Sequence, residues 1–278
     1  GLGYGLADKL VLSKVREGLG GRVRFCISGG APLPSFVNEF FHSIGVRILE
    51  GYGLTETSPV VGVNGADPGM TRIGTIGKAI RDVEVKIADD GELCIRGPNV
   101  MTGYWNLPEK TAEVFDDDGF FLTGDIAEID SDGFIKITDR KKDLIVTAGG
   151  KNVAPQPIEN ELKRSPLIDN AVLIGDRRPY IIALISPNQE ELESWATAKG
   201  IEYETIEELT KIPEIAAGYA KMIEDTNKDL ARYEQIKKHV VLPLMLSIEG
   251  GHLTPTLKVK RRVVEQDYTE LVESLYAD

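Results

Sequence analysis

Gly51-Tyr52-Gly53-Leu54-Thr55-Glu56-Thr57-Ser58 gathers glycine freedom, an aromatic face, hydroxyls and a carboxylate into one short run. Glycines let a backbone approach a ligand closely, Tyr52 can lie against a purine, Thr55 can donate to a phosphate oxygen, and Glu56 can hold a hard cation such as magnesium. These are the ingredients of a nucleotide pocket. Read alone, the same run is equally a strand-to-loop turn built on a core tyrosine. Further chemistry lies downstream. Asp125 closes Leu122-Thr123-Gly124-Asp125, where a carboxylate can accept both hydroxyls of a ribose; an isolated Thr-Gly-Asp is more readily a turn aspartate capping its own backbone. Arg140, in Asp139-Arg140-Lys141-Lys142-Asp143, is a fixed planar cation suited to a ribose or phosphate oxygen, although most such charge runs are solvated linkers. Gly149-Gly150, after Leu144-Ile145-Val146, reads by itself as a flexible turn.

The elements that must position these groups follow from hydrophobic periodicity. Residues 6–19 and 35–44 carry a helical pattern, and residues 23–28 and 46–50 read as strands, which together make a fragment of an α/β wound sheet. In such folds ligands gather at the carboxyl ends of strands, where Gly29-Gly30-Ala31 and the Gly51 run both fall. From about residue 70 to 138 short strands alternate with turn signals at Asp89-Asp90-Gly91, Asp117-Asp118-Gly119 and Ser131-Asp132-Gly133, predicting an antiparallel β subdomain. A break over residues 138–142 introduces a small α+β domain, with helices at 157–165, 188–199 and 213–233 and strands at 170–174 and 180–186. The expected division is 1–138, itself an α/β piece (1–68) and a β subdomain (69–138), followed by 139–278.

Composition limits the remaining possibilities. In 278 residues, 44 acidic against 32 basic side chains give a net charge of −12 with no basic block, which argues against nucleic acid as a partner. Cys26 and Cys94 lie in expected strands without zinc-like spacing, so reduced core thiols are expected, with a reducing cytoplasm as the default compartment. The apolar run Val240-Val241-Leu242-Pro243-Leu244-Met245-Leu246 is too short to span a bilayer, and peripheral membrane association stays open. His42, His239 and His252 show no ligand or triad spacing, and Tyr104 and Trp105 are read as packing residues.

Several segments, in order, resemble the signature motifs of the adenylate-forming, or AMP-binding, superfamily of acyl-CoA synthetases, luciferases and peptide-synthetase adenylation domains. Gly29-Gly30-Ala31-Pro32-Leu33 resembles the fourth motif and the Gly51 run the fifth. Gly91-Glu92-Leu93-Cys94-Ile95-Arg96-Gly97 with Gly103-Tyr104-Trp105-Asn106 resembles the sixth, and Thr123-Gly124-Asp125 the seventh. Asp139 through Glu159 is similar to the eighth and Thr254-Pro255-Thr256-Leu257-Lys258-Val259-Lys260-Arg261 to the tenth. The wording Val146-Thr147-Ala148-Gly149-Gly150-Lys151-Asn152-Val153-Ala154-Pro155, with Thr-Leu-Lys where most relatives read Ser-Gly-Lys, is similar to the long-chain fatty acyl-CoA synthetases.

The resemblance implies ATP, Mg2+ and CoA as cofactors or substrates beside a fatty acid. It implies Asp125 on the ribose, Glu56 on the metal, and Thr55 and Lys258 on the α-phosphate. It also places a hinge at Lys142, and a Gly149-Gly150 loop that lines the channel for the pantetheine arm of CoA. Lys258 is preferred to Lys260 as the mobile catalytic lysine by motif register. Relatives carry, upstream of the fourth motif, a Ser/Thr/Gly-rich triphosphate loop that this chain lacks, and the chain opens at Gly1 without methionine. It is therefore expected to be the C-terminal part of a larger ligase, inactive alone and completed by the missing N-terminal part. Two alternatives remain: an enzyme loading a carrier-protein phosphopantetheine, and a fragment that only binds a nucleotide or partner.

Overall fold

The computed structural model describes residue 5 and residues 7–277. Leu6, where the first helical pattern begins, and the opening Gly1-Leu2-Gly3-Tyr4 lie outside the described residues. The chain divides into two compact units, Gly1–Lys142 and Asp143–Asp278.

In the first unit a π-helical turn, Asp8–Leu12, leads into α1 (Ser13–Gly18). A β-α-β piece follows: β1 (Cys26–Ser28), α2 (Ser35–Ser43) and β2 (Ile48–Gly53), with the strands parallel and Cys26 opposite Ile48. β2 pairs antiparallel with β3 (Val60–Val63), which pairs with β4 (Lys78–Ala79). Two expectations change here. The strand over 23–28 shrinks to its last three residues, and Cys26 is exposed rather than a core thiol. Among the described residues β1 pairs only with β2 and little packs over its faces; Ile27 stays 68% exposed, and Val23, ahead of the strand, 50%.

The second sheet is an antiparallel meander of β5 (Glu84–Ile87), β6 (Glu92–Arg96), β7 (Phe121–Ile129) and β8 (Ile135–Arg140), with α3 (Pro108–Ala112) between β6 and β7. The Asp-Gly turns fall where expected. Asp130 Oδ1 accepts from the N–H groups of Asp132 and Phe134, Asp116 Oδ1 does the same for Asp118 and Phe120, and Gly91 and Gly133 take φ of +87° and +85°. β4 belongs to the first sheet rather than to this one, and β8 runs through the expected break at 138 to Arg140. Val61 and Ile76 pack with Leu93, Ile95, Ala127 and Ile135 in one core that joins the two sheets. Cys94 is buried on β6, as expected of a core thiol.

The second unit opens with a hairpin of β9 (Ile145–Val146) and β10 (Asn152–Val153), then α4 (Pro155–Leu162). Its sheet is β11 (Ile168–Ile174), β12 (Ile181–Pro187) and β13 (Ile236–Val241), with α5 (Gln189–Lys199), α6 (Ile206–Lys211) and α7 (Pro213–Asn227) between the last two. α8 (Arg261–Asp267) and α9 (Thr269–Tyr276) close the chain. Period-two alternation gives the sheet two covered faces. Leu173, Ile181, Ala183 and Ile185 face α4 to α7, whereas Val172, Ile174, Ile182 and Leu184 face Val264 of α8 and Val272 of α9. β12 is buried throughout, and each such aliphatic side chain contributes roughly 1.5–3 kcal/mol. The architecture is α/β with antiparallel sheets, as the pattern predicts. No helix among the described residues is long and apolar enough to cross a membrane.

Candidate active site

The first unit draws residues from separate segments to one place. β2 does not end at Glu50 as expected; it continues through Gly51-Tyr52-Gly53, which is ladder rather than ligand loop. Gly53 is required by packing, because a Cβ there would overlap the carbonyl oxygen of Pro59. Tyr52 packs against the joint core, and its hydroxyl donates to Asp125 Oδ2. Burial first, and then the Asp125 charge, push the phenol far above its ordinary range, so it remains a donor.

Asp125 sits on β7 directly opposite Arg140 on β8, and Arg140 Nε lies 3.1 Å from Asp125 Oδ1. Asp125 is 3% exposed while half of the Arg140 side chain is accessible. Each carboxylate oxygen has thus taken one donor, leaving one acceptor direction on each. Glu92 lies behind this pair: Oε1 accepts from the Gly124 N–H at 2.7 Å and Oε2 meets Lys141 Nζ at 2.7 Å. Lys141 also pairs with Asp90 at 2.6 Å, and these bonds, to Asp90 first and Glu92 second, hold its ammonium above the usual lysine range.

A cavity of about 490 Å³ opens beside these residues, with Glu56, Glu92, Tyr104, Gly124, Arg140 and Lys141 in its wall. Thr55 and Glu56 stand on a single 3-10 turn, Thr55–Thr57, after β2. Tyr104 corrects one expectation: its hydroxyl donates to Glu56 Oε1 at 3.0 Å, so it orients the carboxylate instead of packing a core. Trp105 does not pack either and is 89% exposed. Among the described residues no group of three or more His, Cys, Asp or Glu could hold a metal. Glu56 alone fits a Mg2+ that arrives on phosphates, since this ion keeps waters and takes only one or two carboxylates. Gly29, Gly30 and Ala31 follow β1 and do not line the cavity; Gly30 takes φ of +81°, and a Cβ on Gly29 would stand 3.2 Å from the Gly51 carbonyl oxygen.

Lys258, Gly149 and Gly150 belong to the second unit, where two loops share one construction. In Thr147-Ala148-Gly149-Gly150-Lys151 the Gly150 N–H donates to the Thr147 carbonyl at 2.8 Å, and the Thr147 N–H to the Lys151 carbonyl at 3.0 Å. The Lys151 N–H meets Thr147 Oγ1 at 3.2 Å. In Thr254-Pro255-Thr256-Leu257-Lys258 the equivalent distances are 2.8, 2.8 and 3.0 Å. Gly150 at φ +70° and Leu257 at φ +60° hold the left-handed position of the three-residue hairpin turn. The lysine before α8 is therefore presented by a tight hairpin in which leucine occupies a place that favours glycine. Lys258 is exposed, and its ammonium meets no carboxylate among the described residues. Arg261, three residues on, is anchored to Glu159 of α4 at 2.5 Å and to the Leu173 carbonyl at 2.6 Å.

Residues 6–105 match the family model for AMP-binding enzymes, and residues 142–278 match that for the AMP-binding enzyme C-terminal domain. The chain belongs to the AMP-binding enzymes. Among curated AMP-binding relatives, it is 41% identical over 274 residues to the long-chain-fatty-acid–CoA ligase FadD15 of Mycobacterium bovis, covering 98% of this chain and 45% of that protein. It is 38% identical to the long-chain-fatty-acid–CoA ligase ACSBG2 of Gallus gallus, covering all of this chain and 39% of that one. The chain thus spans less than half the length of these relatives. Among solved structures, the adenylation domain of a carboxylate reductase from Mycobacterium chelonae superposes with a TM-score of 0.74 at 28% identity, over 98% of this chain and 42% of that one. The A-PCP didomain of carboxylic acid reductase from Segniliparus rugosus, in complex with AMP, gives 0.71 at 26% identity, over 98% and 37%.

Proposed function

We propose that this chain is part of a long-chain fatty acid–CoA ligase that works by two half-reactions. A fatty carboxylate oxygen attacks the α-phosphorus of ATP and expels pyrophosphate; the thiol of CoA then attacks the acyl carbonyl and expels AMP. The observation carrying this reading is the convergence of Tyr52, Glu92, Asp125, Arg140 and Lys141, from four stretches of chain, on one bonded network beside a cavity that Glu56 also lines.

The chain's own residues position and neutralise. Asp125 and Arg140 take the ribose hydroxyls, with Tyr52 bracing the carboxylate. Glu56, oriented by Tyr104, would hold Mg2+, which would offset phosphate charge. Thr55 donates to the α-phosphate. Lys258, a compact ammonium on a flexible stem, bridges the attacking carboxylate and that phosphate as negative charge concentrates between them. Rotation about Lys142 then replaces the Lys258 hairpin with the Gly149-Gly150 hairpin, whose lack of side chains leaves room for the pantetheine arm. Support for the hinge comes from the division of the compact units directly after Lys142.

The test is Lys258→Ala in the complete ligase. Adenylation should fall on the order of a hundredfold or more, while CoA attack on supplied acyl-adenylate stays largely intact. Equal loss in both steps removes this division of labour. Assay with free CoA against a phosphopantetheinyl carrier protein separates the CoA ligase from a carrier-loading enzyme. The 278 residues alone are expected to release no pyrophosphate with ATP, Mg2+ and fatty acids.

A further inference from the structure

The roles above leave one buried carboxylate of the cavity wall without a task. Glu92 is 5% exposed, on β6 opposite Ile126 of β7. A carboxylate is costly to bury unless it is paired and hydrogen-bonded, and the two oxygens of Glu92 are divided between two partners. Oε1 takes the N–H of Gly124, the residue before Asp125, and Oε2 takes the ammonium of Lys141, the residue after Arg140. The two members of the Asp125–Arg140 ion pair are thus each tethered, one residue away, by the same side chain. Gly124 holds φ of +70°, a left-handed turn open to glycine, and its N–H is the group that Glu92 holds just before Asp125. On the other side, the hold of Asp90 at 2.6 Å keeps Lys141 in place beside Glu92.

We infer that Glu92 is a positioning residue for the nucleotide. It locks Gly124 and Lys141 so that Asp125 and Arg140 form one fixed receptor for the vicinal hydroxyls of a ribonucleotide. The inference rests on the ribose role given to Asp125.

The experiment compares AMP with 2′,3′-dideoxyadenosine monophosphate, which keeps base and phosphate but lacks the diol, by calorimetry on the complete ligase. The wild-type enzyme should prefer AMP by roughly tenfold or more, as charge-assisted hydrogen bonds require. Glu92→Ala should bring that preference below about twofold by weakening AMP while leaving the dideoxy ligand bound as before. Glu92→Gln, which keeps an oxygen acceptor for Gly124 and loses the charge on Lys141, should fall between. A side chain that only supports the fold would weaken both ligands together. Equal weakening of both by Glu92→Gln, or an unchanged preference in the variants, overturns the inference. A wild-type enzyme that does not distinguish the ligands overturns instead the ribose role of Asp125.

Discussion

Tyr52 and Asp125 stand 73 positions apart in the chain yet share a proton donor and acceptor, so their contributions to binding can be separated by substitution. Asp125→Ala in the complete ligase should weaken ATP and AMP alike by roughly 1.5–3 kcal/mol, because the ribose is common to both. Unchanged AMP affinity by calorimetry would remove the ribose contact. Tyr52→Phe keeps the ring in the core and removes only the bond to the carboxylate; AMP affinity should fall by less than about 1.5 kcal/mol, the lower end of what one bond to a charged group contributes. A loss as large as that of Asp125→Ala would instead make the tyrosine hydroxyl the primary contact. At this scale residue type and motif single out Asp125, Arg140 and Glu56 in sequence, and the structure pairs Asp125 with Arg140 and sets Glu56 in the cavity wall. Glu92 and Lys141 are not legible in that way. Each sits beside a more conspicuous residue, and only the β6–β7–β8 ladder reveals that a carboxylate after a turn reaches an ammonium 49 residues on. Tyr104 is missed because an aromatic residue in an apolar stretch reads as packing until its hydroxyl finds Glu56.

Strand β2 decides which glycines matter. Gly53→Ala should destabilise the first unit, whereas Gly→Ala at a site whose backbone accepts it stabilises by about 0.4–1 kcal/mol, since here the added methyl meets main chain rather than a movable side chain. A urea midpoint indistinguishable from wild type would show that β3 can yield. Turns and capped helices are legible at this scale. Asp-Gly marks the meander, and Asn188 caps α5, accepting from the Glu191 N–H at 3.3 Å, with Gly200 left-handed at its end. β13, α6, α8 and α9 escape the pattern. Lys237-Lys238-His239 interrupts the apolar signature of β13, and the helices are short segments whose form depends on the sheet faces they cover. The exposed first strand shows the opposite error, in which apolar alternation predicts more strand than one neighbour sustains.

Across the whole molecule, the two units meet in sequence at Lys142, and a proline there locks φ and removes an N–H. Lys142→Pro in the complete ligase should let acyl-adenylate accumulate while thioester formation slows, read by quenching and quantifying acyl-AMP against acyl-CoA. Thioester formation at the normal rate would move the hinge elsewhere. The two hairpins of the second unit bear on what such a rotation must supply. Each closes on its own backbone and its own threonine hydroxyl, so each arrives already shaped. Neither needs to order or melt. If the half-reactions alternate by rotation at Lys142, ordering of these hairpins would add nothing to the heat-capacity change, and hydrogen exchange of the Gly150 and Leu257 amides should be equally slow with and without nucleotide.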